Sequence, residues 1–96
     1  YDIYLICWKP NQKSLIHDHP ENGCLLKVLK GELIEEIYEK IDDKFKKIRR
    51  NIMSEGNISY QEGKSGLHKV LNNSKNKSIS LHIYSPPNSK MTFYKD

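Results

Sequence analysis

"GELIEEIYEKIDDKFKKIRRNI", residues 31–52, is the stretch on which the fold class turns. Leu33, Ile34, Ile37, Tyr38, Ile41, Phe45 and Ile48 recur at helical spacing, and Glu and Lys, both good helix formers, fill the gaps. Taken alone, this periodicity predicts an amphipathic helix over 32–49. The competing reading is a hairpin that turns at "DDK" and carries a charged, exposed face. A helix would make the chain mixed α and β; a hairpin would make it all-β.

The flanks read as strands. "YDIYLICW" (1–8) is aromatic and β-branched, "KPNQKS" (9–14) is a turn, and "LIHDH" (15–19) can be extended again. "GCLLKVLKGEL" (23–33) is an apolar run bent at Gly31. "NISYQEGKSGLHKVLNNS" (57–74) holds short β-like pieces punctuated by Gly63 and Gly66. "SISLHIYSPP" (78–87) alternates strictly until Pro86–Pro87 stops it. There is no repeat and no linker, so residues 1–96 are expected to form a single domain. The chain starts without methionine in the middle of a strand, which suggests an excerpt of a longer protein.

Composition narrows the function classes. Hydrophobic residues make up 36% of the 96, enough for one modest core. A net charge of +4 from 16 basic and 12 acidic residues is too mild and too dispersed for a nucleic-acid-binding face. No apolar run approaches the roughly 20 residues of a membrane helix. Cys7 and Cys24 are too few for a disulfide scaffold, so the expected setting is the reducing cytoplasm. The expected state is a monomer.

The residues that carry chemistry are histidines. Side chains at i and i+2 of a strand share a face, so His17 and His19 project together, as two imidazoles must to hold one metal. A lone HxH pair is weak evidence. His68, off a strand that follows Gly66, supplies a third imidazole, and three ligands that leave positions open mark a catalytic metal. Asp18 points to the opposite face, as a local hydrogen-bond acceptor. Ser80, His82 and Tyr84 form a polar row opposite apolar Ile79, Leu81 and Ile83. That row is either an ordinary wet strand face or a hydrogen-bonded relay in a half-buried cavity; its lack of Lys, Glu and Thr favours the relay. Trp8 is most simply core packing, and Cys7 a structural thiol.

"CW", "IHDH", Cys24, "KVLKGEL", "GLHKVLN" and "SLHIYSPP" occur in the order and approximate spacing seen in the cysteine dioxygenases, thiol dioxygenases of the cupin superfamily. His17-x-His19 with Gly31 resembles the first cupin motif and His68-x-x-x-Asn72 the second, with Cys24 where most cupins have a glutamate ligand. The resemblance implies an all-β, jelly-roll-like small barrel, lacking the family's N-terminal helices, and it decides 31–52 in favour of the hairpin. It implies Fe(2+) held by His17, His19 and His68, with three neutral imidazoles leaving the metal charge uncompensated and favouring an incoming thiolate. It implies a thioether cross-link between Cys24 and Tyr84, with Ser80 and His82 orienting the Tyr84 hydroxyl, and a cis Ser85–Pro86 peptide. The partners would be a small-molecule thiol and O2, with cysteine converted to its sulfinic acid.

One departure bears on the substrate. The family's carboxylate-binding arginine lies upstream of Tyr1, and Arg49 and Arg50 match no such position. Cysteamine or 3-mercaptopropionate therefore stand beside cysteine as candidate substrates. Two readings from other classes are a non-catalytic metal-binding cupin and a structural zinc site built from His17, His19, His68 and Cys24. Neither requires the Ser80, His82, Tyr84 row.

Overall fold

Every regular element among the described residues is a strand. The computed structural model describes residues 1–19, 23–61, 66–85 and 93–94. In chain order these hold β1 (Asp2–Trp8), β2 (Ile16–His17), β3 (Cys24–Lys30), β4 (Glu32–Ile41), β5 (Lys44–Ser54), β6 (Ile58–Gln61), β7 (Leu67–Leu71), β8 (Ser78–Tyr84) and β9 (Phe93–Tyr94). They form two sheets, one in the order β1-β8-β3-β6 and the other β5-β4-β7-β2-β9, with antiparallel pairing throughout. The all-β barrel implied by the resemblance is the fold observed.

The 31–52 stretch is a hairpin, and its helical period has a physical origin. β4 pairs with β5 from Glu32↔Ser54 to Ile41↔Lys44 around a turn at Asp42–Asp43. Asp42 adopts φ 56°, a left-handed conformation that aspartate tolerates better than most residues. Alternation puts Leu33, Glu35 and Ile37 on one face of β4 and Ile34, Glu36 and Tyr38 on the other. All six are buried, because apolar clusters cover both faces. Leu33 packs with Trp8, Leu26, Val28, Met53 and Val70 inside the barrel, while Tyr38 packs outside with Ile16 and Leu67. Apolar residues therefore come in adjacent pairs separated by Glu35–Glu36, which mimics a helical stripe.

The charged face expected to be exposed is partly buried. Glu36 accepts from Lys47 Nζ at 2.8 Å and from the Tyr38 hydroxyl at 2.9 Å. Paired and hydrogen-bonded, a carboxylate can sit at such a site.

β8 has the opposite polarity to its pattern. Ser78, Ser80 and His82 are buried, while Ile79, Leu81 and Ile83 are only half-buried on the outer face. The register Ile3↔Ile83 and Leu5↔Leu81 continues this apolar outer surface onto β1, where Ile3 and Leu5 are exposed. The polar row is the inward one, consistent with a relay and not with a wet face.

Two motif residues are explained by backbone demands. Gly31, between β3 and β4, has φ +78°, and a Cβ there would lie 2.6 Å from Ser78 Oγ. Asn72, fully buried, donates to the Trp8 and Asn76 carbonyls at 2.9 and 2.8 Å and so ties the end of β1 to the 72–76 loop. Ser85–Pro86 cannot be placed, since Pro86 lies outside the described residues.

Candidate metal centre

The three histidines converge. β2 pairs with β7 at His17↔His68, so both rings project from the same face, and His19 follows two residues later on the same side. His68 Nε2 lies 2.9 Å from His17 Nε2 and 2.9 Å from His19 Nε2. All three rings are buried.

Proton bookkeeping at the other ring nitrogens shows what this cluster is for. His17 Nδ1 donates to the Leu15 carbonyl at 2.8 Å, His19 Nδ1 to the Gly66 carbonyl at 2.6 Å, and His68 Nδ1 to Glu35 Oε2 at 2.8 Å. Each partner can only accept, so each Nδ1 carries a proton, and the other nitrogen of each ring, Nε2, is the atom turned into the cluster. Burial, followed by the neighbouring imidazoles, pushes the His17 pKa down to about 4 and that of His19 to about 3. Close-set lone pairs repel unless a cation lies among them. The ligand atoms of the three rings all lie within 4.8 Å of one another, a group that could hold one metal ion. The donor set fits a divalent metal, with Nδ1 hydrogen bonds fixing each ring as in characterised metal sites.

Cys24 is not a fourth ligand. Among the described residues the metal-competent cluster is His17, His19 and His68. Cys24 sits on the other sheet, in register with Tyr84, and the Tyr84 hydroxyl hydrogen-bonds its thiol. Burial raises the Cys24 pKa to about 11 and, with the nearby Cys24, pushes the Tyr84 phenol up as well. Cys24, on the other sheet, stands outside the three-histidine cluster, which leaves the four-ligand zinc reading without its fourth ligand.

The polar row is a chain of hydrogen bonds that begins at Trp8. The indole Nε1–H donates to Ser80 Oγ at 2.8 Å, and Ser80 Oγ lies 2.6 Å from His82 Nε2. The arrangement that satisfies all three buried groups has the Ser80 hydroxyl donating to His82 Nε2, which places the His82 proton on Nδ1. His82 is neutral, its pKa lowered to about 4 by burial and then by His68 and His17. Its ring stacks at 17° against that of Tyr84, with centroids 6.3 Å apart. Trp8 is buried in the core, as expected, and also serves as a donor, a role that sequence reading missed.

Glu35 is the other residue missed. It is 2% exposed, and both its oxygens accept from Ser59 Oγ at 2.8 Å while Oε2 accepts from His68. Burial alone would raise its pKa, but hydrogen bonds from His68 and Ser59 outweigh that and hold the carboxyl below its usual range. The signal available was alternation: once 31–52 is a hairpin, Glu35 lies between Leu33 and Ile37 on the inner face. A metal ion held by the three histidines would therefore have one buried carboxylate behind its ligands. Asp18 is buried, its charge acting on His17. Cys7 is an exposed free thiol, Arg50 lies 3.6 Å from Glu36, and Arg49 lines a polar cavity of about 330 Å³ whose lining includes Glu35 but none of the three histidines.

A family model for cysteine dioxygenase type I matches residues 1–96. The chain belongs to the cysteine dioxygenase family. Among relatives, cysteine dioxygenase type 1 of Bos taurus is 37% identical over 92 residues, that of Homo sapiens 36% and that of Danio rerio 34%. Each match covers 91% of this chain and 46% of the relative, so this member of the family spans about half the length of the cysteine dioxygenases it matches. Similar solved structures include an oxalate oxidase in complex with glycolate, with a TM-score of 0.76 at 20% identity, covering 95% of this chain and 44% of that one. A Drosophila melanogaster CENP-C cupin domain gives 0.71 at 18%, covering 86% and 59%. At these identities the likeness is one of fold, the cupin barrel. Among the described residues no helix is long and apolar enough to cross a membrane.

Proposed function

We propose that the 96 residues are the single-domain metal-binding barrel of an iron(II)-dependent thiol dioxygenase, with L-cysteine as substrate and cysteine sulfinic acid as product. The observation that carries this reading is the set of three inward Nε2 atoms, with the other ring nitrogens tied to fixed acceptors, in a chain of the cysteine dioxygenase family. Ferrous iron held by His17, His19 and His68 would supply activation of dioxygen and delivery of both atoms to a thiol sulfur.

The chain's own groups do the rest. The Nδ1 hydrogen bonds keep the three rings from turning. Trp8 and Ser80 hold His82 in one tautomer, and the stacked His82 ring restrains Tyr84. The Tyr84 hydroxyl, with its proton tightly held, is a hydrogen-bond donor and not a base. Cys24 lies opposite Tyr84 in the β3–β8 ladder, and a thioether between them would form on loss of the S–H and one ring C–H hydrogen, two electrons and two protons passing to dioxygen. We place the protein in the reducing cytoplasm, as a monomer.

A second reading keeps the iron and changes the thiol to cysteamine or 3-mercaptopropionate. Among the described residues Arg50 approaches Glu36 and Arg49 lines a separate cavity, so neither stands as a carboxylate clamp, which favours cysteamine, the one of the three thiols without a carboxylate. The test is anaerobic loading with ferrous iron, then oxygen uptake with each of the three thiols and mass spectrometry of the products. Uptake with cysteine that yields the sulfinate supports the first reading, and uptake confined to another thiol supports the second. Iron binding without uptake in the presence of any of the three points to a non-catalytic cupin.

A further inference from the structure

Glu35 is a buried carboxylate that stands one hydrogen bond behind a metal ligand. Its Oε2 accepts from His68 Nδ1 at 2.8 Å, and Ser59 Oγ, from β6 in the opposite sheet, lies 2.8 Å from both of its oxygens. Glu35 and Val70 are opposite each other in the β4–β7 ladder, two rungs from Ile37↔His68 and so on the same face as His68, which means the contact is set by strand register and not by loop conformation. Arg49 lines the same cavity, yet among the described residues no ion pair joins it to Glu35. A carboxylate this deeply buried calls for a cation, and the place built for one is the cluster of Nε2 atoms on the other side of the His68 ring.

We propose that Glu35 is a positioning residue of the metal centre, fixing the His68 ring with Nε2 inward and lending its negative charge to the bound metal through that ring. The inference rests on the metal-binding part of the reading above and not on the identity of the thiol. His68 thereby becomes a stronger donor than His17 or His19, whose Nδ1 partners are neutral carbonyls. A metal bound there would have three imidazole ligands and one anion behind them.

Affinity for ferrous iron, measured anaerobically by competition with a chromophoric chelator, tests this without turnover, and cobalt(II) absorption reports the ligand field. Glu35→Gln keeps an acceptor for His68 and removes the charge; Glu35→Ala removes both. Affinity should fall about 10-fold in Glu35→Gln and up to about 100-fold in Glu35→Ala, with a shifted cobalt spectrum. Glu36→Gln, altered on the opposite face of β4, should bind as the unaltered protein does. Should Glu35→Ala not fold, as judged by circular dichroism, the isosteric Glu35→Gln carries the test alone. Binding by Glu35→Gln within twofold of the unaltered protein, with an unchanged cobalt spectrum, overturns the charge-donating role of Glu35 and leaves the metal reading intact. Failure of the unaltered protein to bind either ion overturns both.

Discussion

The Trp8–Ser80–His82 chain can be tested energetically by removing its middle. Ser80 is fully buried and is the shared partner of the Trp8 indole N–H and of His82 Nε2, at 2.8 and 2.6 Å. Ser80→Ala leaves a cavity no larger than one oxygen atom but strands two buried polar groups. A stranded group costs about 1–3 kcal/mol, so stranding two should cost about 2–6 kcal/mol. For a domain of this size each kcal/mol corresponds to about 4–8 °C, which predicts a fall in Tm of at least about 8 °C. Trp8→Phe removes only the donor and part of the ring. If the indole donates to Ser80, the two losses must not add: Ser80→Ala should cost about 1 kcal/mol less in the Trp8→Phe background. Urea unfolding of the four proteins, followed by circular dichroism so that loss of the indole does not blind the probe, gives the cycle. Additive losses, or a Ser80→Ala cost under about 0.5 kcal/mol, would refute the hydrogen-bond chain.

Acid should weaken the metal-free fold. His17, His19 and His82 have folded pKa values of about 4, 3 and 4, below the ordinary 6.5, so between those values the unfolded chain binds more protons than the folded one. Stability is then complete above about pH 6.5 and falls as pH drops toward 4, by about 1 kcal/mol or more per pH unit; a urea midpoint that holds steady or rises from pH 7 to pH 5 contradicts this. Gly31→Ala combines a left-handed backbone with a Cβ 2.6 Å from Ser78 Oγ, whereas at Gly56, with φ +86°, a Cβ meets nothing within 4 Å. Thermal melts should show a loss of about 2 kcal/mol or more for Gly31→Ala and about 1 kcal/mol for Gly56→Ala. After incubation with iron, cysteine and air, intact mass should fall by two hydrogens in the unaltered protein and remain constant in Cys24→Ser; a constant mass in both would argue against the thioether.

Much of this site was legible because its residues sit close together in the chain. His17 and His19 are two apart, and Ser80, His82 and Tyr84 share a strand face by alternation alone. The hairpin was not legible from periodicity, since β4 is covered on both faces and pairs of buried residues at 33–34 and 37–38 imitate a helix. Only the resemblance carried by the flanking motifs decided it. Glu35 and the donor role of Trp8 were missed for another reason. Their partners, His68 and Ser80, are 33 and 72 residues away, and nothing local marks a glutamate as buried or an indole as bonded. The solvation of a side chain is a property of the assembled barrel.

The order of strands in the first sheet also sets a timetable. β1 pairs along its length with β8, Asp2 opposite Tyr84 and Trp8 opposite Ser78, so its ladder waits for a strand about seventy to eighty residues further along the sequence. The β4–β5 hairpin is local and can close early, whereas His17 and His68 meet only when segments about fifty residues apart have joined. The metal ligands can therefore come together only after the loop-closure entropy of that long pairing has been met, whereas the hairpin needs no such closure. A metal ion arriving before that pairing would find separate histidines rather than a cluster of three.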